Sequence, residues 1–218
     1  METSEPDSSD SPFYLTVARP GKAEIKVKSS RFIACAEPVQ NEEQCKRFIA
    51  RYQKQYHDAT HVCFAYRTGV GEHSVYRFSD AGEPAGTAGA PIFKVIEGAD
   101  LTDILILVIR YFGGAKLGIG GLVRAYTDAA RAVLEEIVTV RKIIAKPLYF
   151  QVEYDFINPV LRELSARQAE IITQNYADKI EFHISVPVNK WKLLKNNLTN
   201  ITSGKVIYLP LHKKETGR

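Results

Sequence analysis

Apolar residues recur along the chain with two periods, one typical of strands and one typical of helices. The strongest strand signal is the unbroken apolar run Ile104 to Ile109, inside a strand predicted over 103–111. A strand that is apolar on both faces is typical of the centre of a sheet covered on both sides. The longest helical stripe follows Gly120 and comprises Leu122, Val123, Tyr126, Ala129, Ala130, Val133, Leu134, Ile137 and Val138.

Shorter patterns complete a first domain that ends near Val140. Strands are predicted over 23–27, 31–36, 61–66 and 74–78, and a short helix over 88–97. A further helix is predicted after Asn41, whose side chain would cap it together with Gln44 in a capping box. Alternating strands and helices with a buried central strand predict an α+β domain.

The composition changes at residues 141–147, and a second set of elements follows. Leu148, Phe150, Val152 and Tyr154 alternate as a strand, and Ile180, Phe182, Ile184 and Val186 form the apolar face of another. Asn158 and Asn189 are predicted helix caps, and strands are predicted over 170–176 and 205–209. The element order β-α-β-β-α-β is that of a ferredoxin-like fold. We therefore predict a disordered acidic tail over 1–14, domains over 15–142 and 143–211, and a basic tail over 212–218.

Composition and charge point to a cytoplasmic protein with no membrane association. The sequence has no apolar run near the ~18 residues that span a bilayer, and its acidic start lacks the features of a secretory signal. The three cysteines, Cys35, Cys45 and Cys63, show no metal-binding spacing. Residues 1–140 hold 16 Lys and Arg against 18 Asp and Glu, whereas residues 141–218 hold 13 against 7. The basic excess of the C-terminal third suits an acidic partner such as RNA, and a solvated basic face explains it equally well.

Nine of the fourteen glycines lie between Phe78 and Tyr126, most of them in two loops that flank the central strand. The first loop is a candidate anion site because amides at a helix N-terminus lack partners within the helix. Its carboxylates Asp80 and Glu83 oppose this, and the alternative is a rigid turn in which Asp80 bonds to local amides. The candidate residues of this loop are Asp80, Gly82, Glu83, Pro84, Gly86 and Thr87.

The second glycine loop is the stronger anion candidate. It follows the central strand, leads into a helix, and has three cations nearby, Arg110, Lys116 and Arg124. It matches neither a P-loop nor a dinucleotide fingerprint, because no Lys-Ser/Thr follows the glycines and Val123 stands where a third glycine belongs. The predicted phosphate-binding residues are Arg110, Gly113, Gly114, Lys116, Gly118, Gly120, Gly121 and Arg124. The alternative is that the glycines serve only close helix–sheet packing.

Catalytic and metal chemistry has weaker support in the sequence. His57 and His61, with Asp80 and Glu83, form the one candidate metal set, but a break between helix and strand separates the histidines. No nucleophile motif is present, and Cys63 falls inside a predicted strand. We expect no cofactor and no catalytic residues. A hydrolase or phosphotransferase that uses Asp80, Glu83 and His61 around a metal or nucleotide remains the alternative.

The two loops and their flanks resemble the signature of the IMPACT family, also called the YigZ or UPF0029 family. The stretches that carry the resemblance are Arg31-Phe32-Ile33, His57 to Cys63, Phe78 to Gly89 and Arg110 to Tyr126. The last two are long and specific, and together the four run through the whole N-terminal domain. The C-terminal half is similar to the small ferredoxin-like domain of the bacterial two-domain members, and the RWD domain of eukaryotic members has no counterpart.

The resemblance implies a fold and a role. It implies an N-terminal domain like domain IV of elongation factor G, a ribosomal small-subunit protein and the GHMP kinases, and a C-terminal domain like domain V of that factor. Gly121-Leu122 is followed by Val123-Arg124 rather than by the two serines of the GHMP-kinase phosphate motif. We therefore expect a non-catalytic, translation-associated regulatory factor that binds RNA or the ribosome. A protein-interaction regulator with purely structural loops is a further reading, in which the partner is a regulatory protein.

Overall fold

A computed structural model of the chain describes residues 12–210. Residues 14–142 form one compact unit, and residues 143–210 together with 12–13 belong to a second. The basic tail predicted over 212–218 lies outside the described residues, as does the acidic tail as far as residue 11. A strand, β1 (Phe13–Val17), begins inside the range predicted as tail.

The first unit is built on a five-stranded sheet. Its strands are β2 (Gly21–Val27), β3 (Ser30–Pro38), β4 (His61–Thr68), β5 (Val75–Ser79) and β6 (Ile104–Tyr111), in the order β2-β3-β6-β4-β5. The central position of β6 confirms the interpretation of its apolar run, because residues 104–110 are all buried. Every neighbouring pair in this sheet is antiparallel, and the register places Phe32 and His61 on either side of Arg110.

Three helices cover the two faces of this sheet. Helix α1 (Glu42–Gln55) packs through Cys45, Phe48 and Ile49 on one face. Helices α2 (Gly89–Gly98) and α3 (Gly118–Glu135) bury Ile92, Ile96, Tyr126 and Val133 on the other. The stripe predicted for α3 is confirmed for its buried members, whereas Val138 follows the helix and is 49% exposed.

Two strands of the first unit were not predicted. Strand β1 pairs with β7 (Thr139–Ile143) in a separate two-stranded sheet. Neither strand has a clear alternation of apolar residues, and their partners lie more than 120 positions apart along the chain. Such pairing leaves no local signal in the sequence.

The second unit contains a four-stranded antiparallel sheet with two helices. Its elements in chain order are β8 (Ala145–Val152), α4 (Ile157–Ala166), β9 (Glu170–Tyr176), β10 (Ile180–Pro187), α5 (Val188–Ile201) and β11 (Ile207–Tyr208). The strand order is β11-β8-β10-β9. The apolar face predicted for the third strand is confirmed, since Ile180, Phe182, Ile184 and Val186 are each 0–1% exposed and pack against Leu194 and Leu198. Tyr154 does not continue β8 but begins a 3-10 turn, and its side chain is 48% exposed.

The helix caps agree with the sequence in one case out of three. The Asn41 side chain accepts a hydrogen bond from the Gln44 amide at 2.9 Å, as predicted, but the Gln44 side chain accepts from the Gln40 amide and not, as a capping box requires, from the Asn41 amide. Asn158 and Asn189 were wrong as caps, because α4 and α5 begin at Ile157 and Val188, and neither has a side-chain cap. None of the helices formed by the described residues is long and apolar enough to cross a membrane.

Candidate functional site

The first glycine loop, residues 79–89, is closed around the carboxylate of Asp80. One oxygen of this carboxylate accepts hydrogen bonds from the amides of Ala88 (2.9 Å) and Gly89 (2.8 Å), and the other accepts one from Gly86 (2.8 Å). The Asp80 carbonyl accepts from the Glu83 amide at 2.9 Å. Asp80 therefore takes the position at the start of α2 where an anion would bind. These contacts favour the structural alternative for this loop.

The pKa of the Asp80 carboxyl reports the same contacts. Partial burial alone would raise that pKa, but the amides of Gly86, Gly89 and Ala88 outweigh it and hold the pKa below the ordinary 3.8. At neutral pH the loop therefore holds a carboxylate on its amides.

The other predicted residues of the first loop divide into buried and exposed ones. Thr87 is 1% exposed, and its hydroxyl donates to the Pro84 carbonyl at 2.7 Å. Gly82, Pro84 and Gly86 are exposed. Gly89 permits close packing, because a Cβ there would lie 2.7 Å from the backbone nitrogen of Ser79. The backbone at Gly89 therefore packs directly against the backbone of Ser79, the last residue of β5.

Glu83 carries a buried ion pair beneath this loop. Its Oε1 lies 2.7 Å from Nη1 of Arg110, and their side chains are 2% and 7% exposed. The same oxygen accepts a hydrogen bond from the Tyr126 hydroxyl at 2.7 Å. Arg110, predicted as a phosphate ligand, instead points to the α2–α3 side of the sheet and neutralises Glu83. The sequence could not reveal this pair, because the two residues meet only through the fold.

Cys63 and His61, which lie beside this ion pair, also make hydrogen bonds within the protein. Cys63 is fully buried, and its Sγ lies 3.0 Å from the Asp80 carbonyl and 3.4 Å from the Tyr126 hydroxyl. Burial raises the pKa of the Cys63 thiol to about 12, and burial with the neighbouring Cys63 and Glu83 raises the pKa of the Tyr126 hydroxyl. The Nδ1 of His61 lies 2.9 Å from the Ala81 carbonyl. A neutral, inaccessible thiol is a poor nucleophile.

The four residues of the alternative metal set do not come together as ligands. His57 is exposed and lies 3.8 Å from Asp58, while His61 lies 3.9 Å from Glu83. The oxygens of Asp80 are bonded to three amides, and Oε1 of Glu83 is bonded to Arg110 and Tyr126. Within residues 12–210 no group of three or more His, Cys, Asp and Glu side chains could hold a metal ion.

The second glycine loop, residues 113–121, differs from the first in being open. Gly113 is held close to the turn between β2 and β3, where a Cβ would lie 1.8 Å from the Ser29 carbonyl oxygen. Gly114, Gly118 and Gly120 face open space, with nothing within 4 Å of an added Cβ. Helix α3 begins at Gly118 rather than after Gly120, so Gly118, Gly120 and Gly121 form its first turn.

The start of α3 has neither a side-chain cap nor an acidic residue. Its N-cap is Leu117, and no Asp or Glu occurs in its first turn. By contrast, α1 has the Asn41 cap, and Glu42 and Glu43 in its first turn. The first amides of α3 therefore lack the side-chain acceptors that α1 has in Asn41 and α2 has in Asp80, which leaves the positive end of the helix dipole open to an anion.

Cations flank this open helix start along the chain. Lys116 lies two residues before it and Arg124 lies in the second turn of α3, and both are exposed. Residues 104–127 include no Asp or Glu. Lys28, which was not predicted as part of this site, also reaches the loop, since its Nζ donates to the Lys116 carbonyl at 3.4 Å. Only the register that pairs Arg31 with Tyr111 brings the turn containing Lys28 to this loop.

Comparison with protein families matches both units of the chain. Residues 28–134 match the Impact N-terminal domain, a range that includes both glycine loops. Residues 150–205 match a domain of unknown function, DUF1949.

Individual relatives cover nearly the whole chain. The chain is 34% identical over 192 residues to the IMPACT family member YvyE of Bacillus subtilis, covering 88% of each protein. It is 30% identical to the IMPACT family member YigZ of Escherichia coli, covering 92% of this chain and 98% of that protein. A crystal structure described as that of a hypothetical protein is similar with a TM-score of 0.71 at 29% identity, over 94% of this chain and all of the other.

Proposed function

The chain belongs to the IMPACT family, and on that premise we propose that it is a cytoplasmic, non-catalytic, translation-associated regulatory factor that binds RNA, free or in the ribosome. The observation that carries the proposal is the contrast between the two glycine loops. The first is filled by the chain's own carboxylate, Asp80, while the second presents free helix amides among cations. We assign phosphate binding to the second loop and a scaffolding role to the first.

The binding residues follow from this contrast. The amides of Gly118, Gly120 and Gly121 would face phosphate oxygens, and Lys116 and Arg124 would neutralise the charge. Helical side chains lean toward the N-terminus, so Arg124 reaches back over the turn containing Gly120. We add Lys28 to the proposed phosphate-binding residues because it contacts the second loop. We remove Arg110 from them because its charge is already neutralised by Glu83.

The domain assignments support a role in translation by analogy of fold. The strand order β11-β8-β10-β9 is the 4-1-3-2 order that we expect for a ferredoxin-like C-terminal domain, similar to domain V of elongation factor G. The N-terminal unit is proposed to resemble domain IV of the same factor. Lys190 and Lys192 of α5 would add affinity for RNA. A regulatory protein partner remains compatible with these assignments.

No contact among residues 12–210 favours the alternative of a metal- or nucleotide-dependent hydrolase. Its carboxylates, Asp80 and Glu83, are bonded to backbone amides and to Arg110 and Tyr126. A metal ion there would have to displace those partners. Metal analysis of protein purified without a chelator is the direct check, and a stoichiometric divalent ion would favour the hydrolase.

The proposal is tested by RNA binding with matched charge variants. Lys116→Ala and Arg124→Ala are compared with Lys94→Ala and Arg131→Ala, which remove exposed cations from α2 and from the C-terminal half of α3. Affinity for a structured RNA is measured by filter binding at low salt. We expect the first pair to weaken binding several-fold and the second pair to leave it unchanged. Equal effects of both pairs would show that the second loop is not the site.

A further inference from the structure

Phe112 is an exposed aromatic ring on a fixed backbone at the base of the second loop. The side chain is 45% exposed. Its backbone amide donates to the Thr60 hydroxyl at 2.9 Å, and the next residue, Gly113, is held against Ser29. The backbone at Phe112 is therefore held between Thr60, which precedes β4, and the turn between β2 and β3.

Arg110 supports this ring from within the protein. Its guanidinium carbon lies 5.4 Å from the centroid of Phe112 and 5.6 Å from that of the buried Phe32. Nη1 is bonded to Glu83, and Nε has no hydrogen-bond partner within residues 12–210. Cation–π attraction to Arg110 restrains the ring of Phe112.

The surroundings of Phe112 favour an anionic ligand. At the second loop, the Lys28 ammonium donates a hydrogen bond to the Lys116 carbonyl. The first turn of α3 begins two residues after Lys116. The Asp58 carboxylate accepts a hydrogen bond from the Tyr111 hydroxyl. Because side chains alternate between the faces of a strand, Tyr111 points away from the face that carries Arg110, and the Asp58 carboxylate lies with Tyr111. Phe112 thus combines a free aromatic surface with cations and open amides nearby. Proteins that bind unpaired nucleic acid use the same combination.

We propose that Phe112 is the stacking platform for one unpaired nucleobase of the RNA whose phosphates the second loop binds. The inference rests on the proposed function and narrows its ligand to RNA with single-stranded residues. Bases in a duplex are stacked on each other and offer no free face to Phe112. Unpaired bases can be splayed out and stacked on an aromatic side chain.

The test compares two phenylalanines of equal exposure. Phe112→Ala is matched by Phe78→Ala, because Phe78 on β5 is also 45% exposed. Affinities are measured by fluorescence anisotropy for a labelled single-stranded oligoribonucleotide and for a duplex of the same length. We expect Phe112→Ala to weaken single-strand binding about 5- to 150-fold and to leave duplex binding unchanged. Phe78→Ala is expected to change neither affinity.

A second variant keeps the test informative if Phe112→Ala disturbs the loop. Phe112→Leu retains apolar volume without a flat ring, and the same loss for the single strand is expected. Equal effects of Phe112→Ala and Phe78→Ala on the single strand, or equal losses for single strand and duplex, overturn stacking. If RNA binding depends on Lys116 and Arg124 but not on Phe112, stacking fails and the proposed function stands. If the wild-type protein binds no RNA at low salt, both fail.

Discussion

Glu83 in the first glycine loop and Arg110 in the central strand β6 form a buried ion pair, with Oε1 and Nη1 2.7 Å apart. The pair fastens the first loop to the sheet. It also sets the guanidinium behind Phe112 at the base of the second loop. The two loops that stand out in the sequence are therefore joined through these two side chains.

Loss of one partner of this pair should destabilise the first unit strongly. Arg110→Ala leaves the Glu83 carboxylate buried without a counter-charge, which costs about 3–5 kcal/mol. The control is Arg77→Ala, which breaks the exposed pair between Arg77 and Glu42 in the same unit. Native-state hydrogen exchange of the β6 amides is the measurement, because the single tryptophan, Trp191, reports on the other unit. An Arg110→Ala effect no larger than that of Arg77→Ala would contradict the assignment.

Asp80→Asn should loosen the first loop in a pH-dependent way. An amide side chain is a weaker acceptor than a carboxylate for the amides of Gly86, Ala88 and Gly89, and we expect a loss of roughly 1–3 kcal/mol at pH 7. Since the folded-state pKa of Asp80 lies below 3.8, its contribution is complete above about pH 5 and is lost as the pH falls through the folded value.

The measurement for Asp80 is the free energy of unfolding of both proteins from pH 7 to pH 3. The gap between wild type and Asp80→Asn should be constant down to about pH 5 and should then narrow. Asp128→Asn on the exposed face of α3 serves as the control. A gap that widens with acid would refute the arrangement of hydrogen bonds around Asp80.

Alanine at two glycines of the second loop region should have opposite effects. Gly113→Ala would drive a Cβ into the Ser29 carbonyl, so the loop or the β2–β3 turn must move and the protein loses stability. Gly120→Ala meets open space inside a helix and should stabilise the fold by about 0.5–1 kcal/mol. Calorimetric unfolding of both variants is the measurement, and two changes of the same sign would disagree with the structure.

The three cysteines should be unreactive in the folded protein. Cys35, Cys45 and Cys63 are each 0–2% exposed, and burial raises the pKa of the Cys45 and Cys63 thiols to about 12. We expect Ellman's reagent at pH 8 to label three thiols in denaturant and none rapidly without it. Fast labelling of one thiol in the native protein would restore a cysteine nucleophile as a serious alternative.

The sequence predicted those parts of the fold whose signal is local. The central strand, the stripe of α3 and the buried face of β10 follow from periodicity alone, and the Asn41 cap follows from its spacing to Gln44. The sequence did not predict strands β1 and β7, because each forms only by pairing with the other, far away along the chain. It also failed at Asn158 and Asn189, because asparagine is common in turns generally and does not by itself define a cap.

The candidate site was predictable to the same extent. The glycines and cations of the second loop are visible in the chain, and so was the alternative role of Asp80 as an acceptor for local amides. The pairing of Arg110 with Glu83 could not be predicted, because it depends on the face of β6 from which the arginine side chain projects. Phe112 and Lys28 were missed because one is a single aromatic residue and the other reaches the loop only through strand register.

The central claim is that the second loop binds phosphates, and the dependence of RNA affinity on salt tests it most directly. A plot of log Kd against log salt for a structured RNA should be steep for the wild-type protein. The double variant Lys116→Ala/Arg124→Ala should lower the slope by about one and a half units, while Lys94→Ala/Arg131→Ala leaves it unchanged. An absence of binding at low salt, a salt-independent affinity, or equal slopes for the two double variants would contradict the claim.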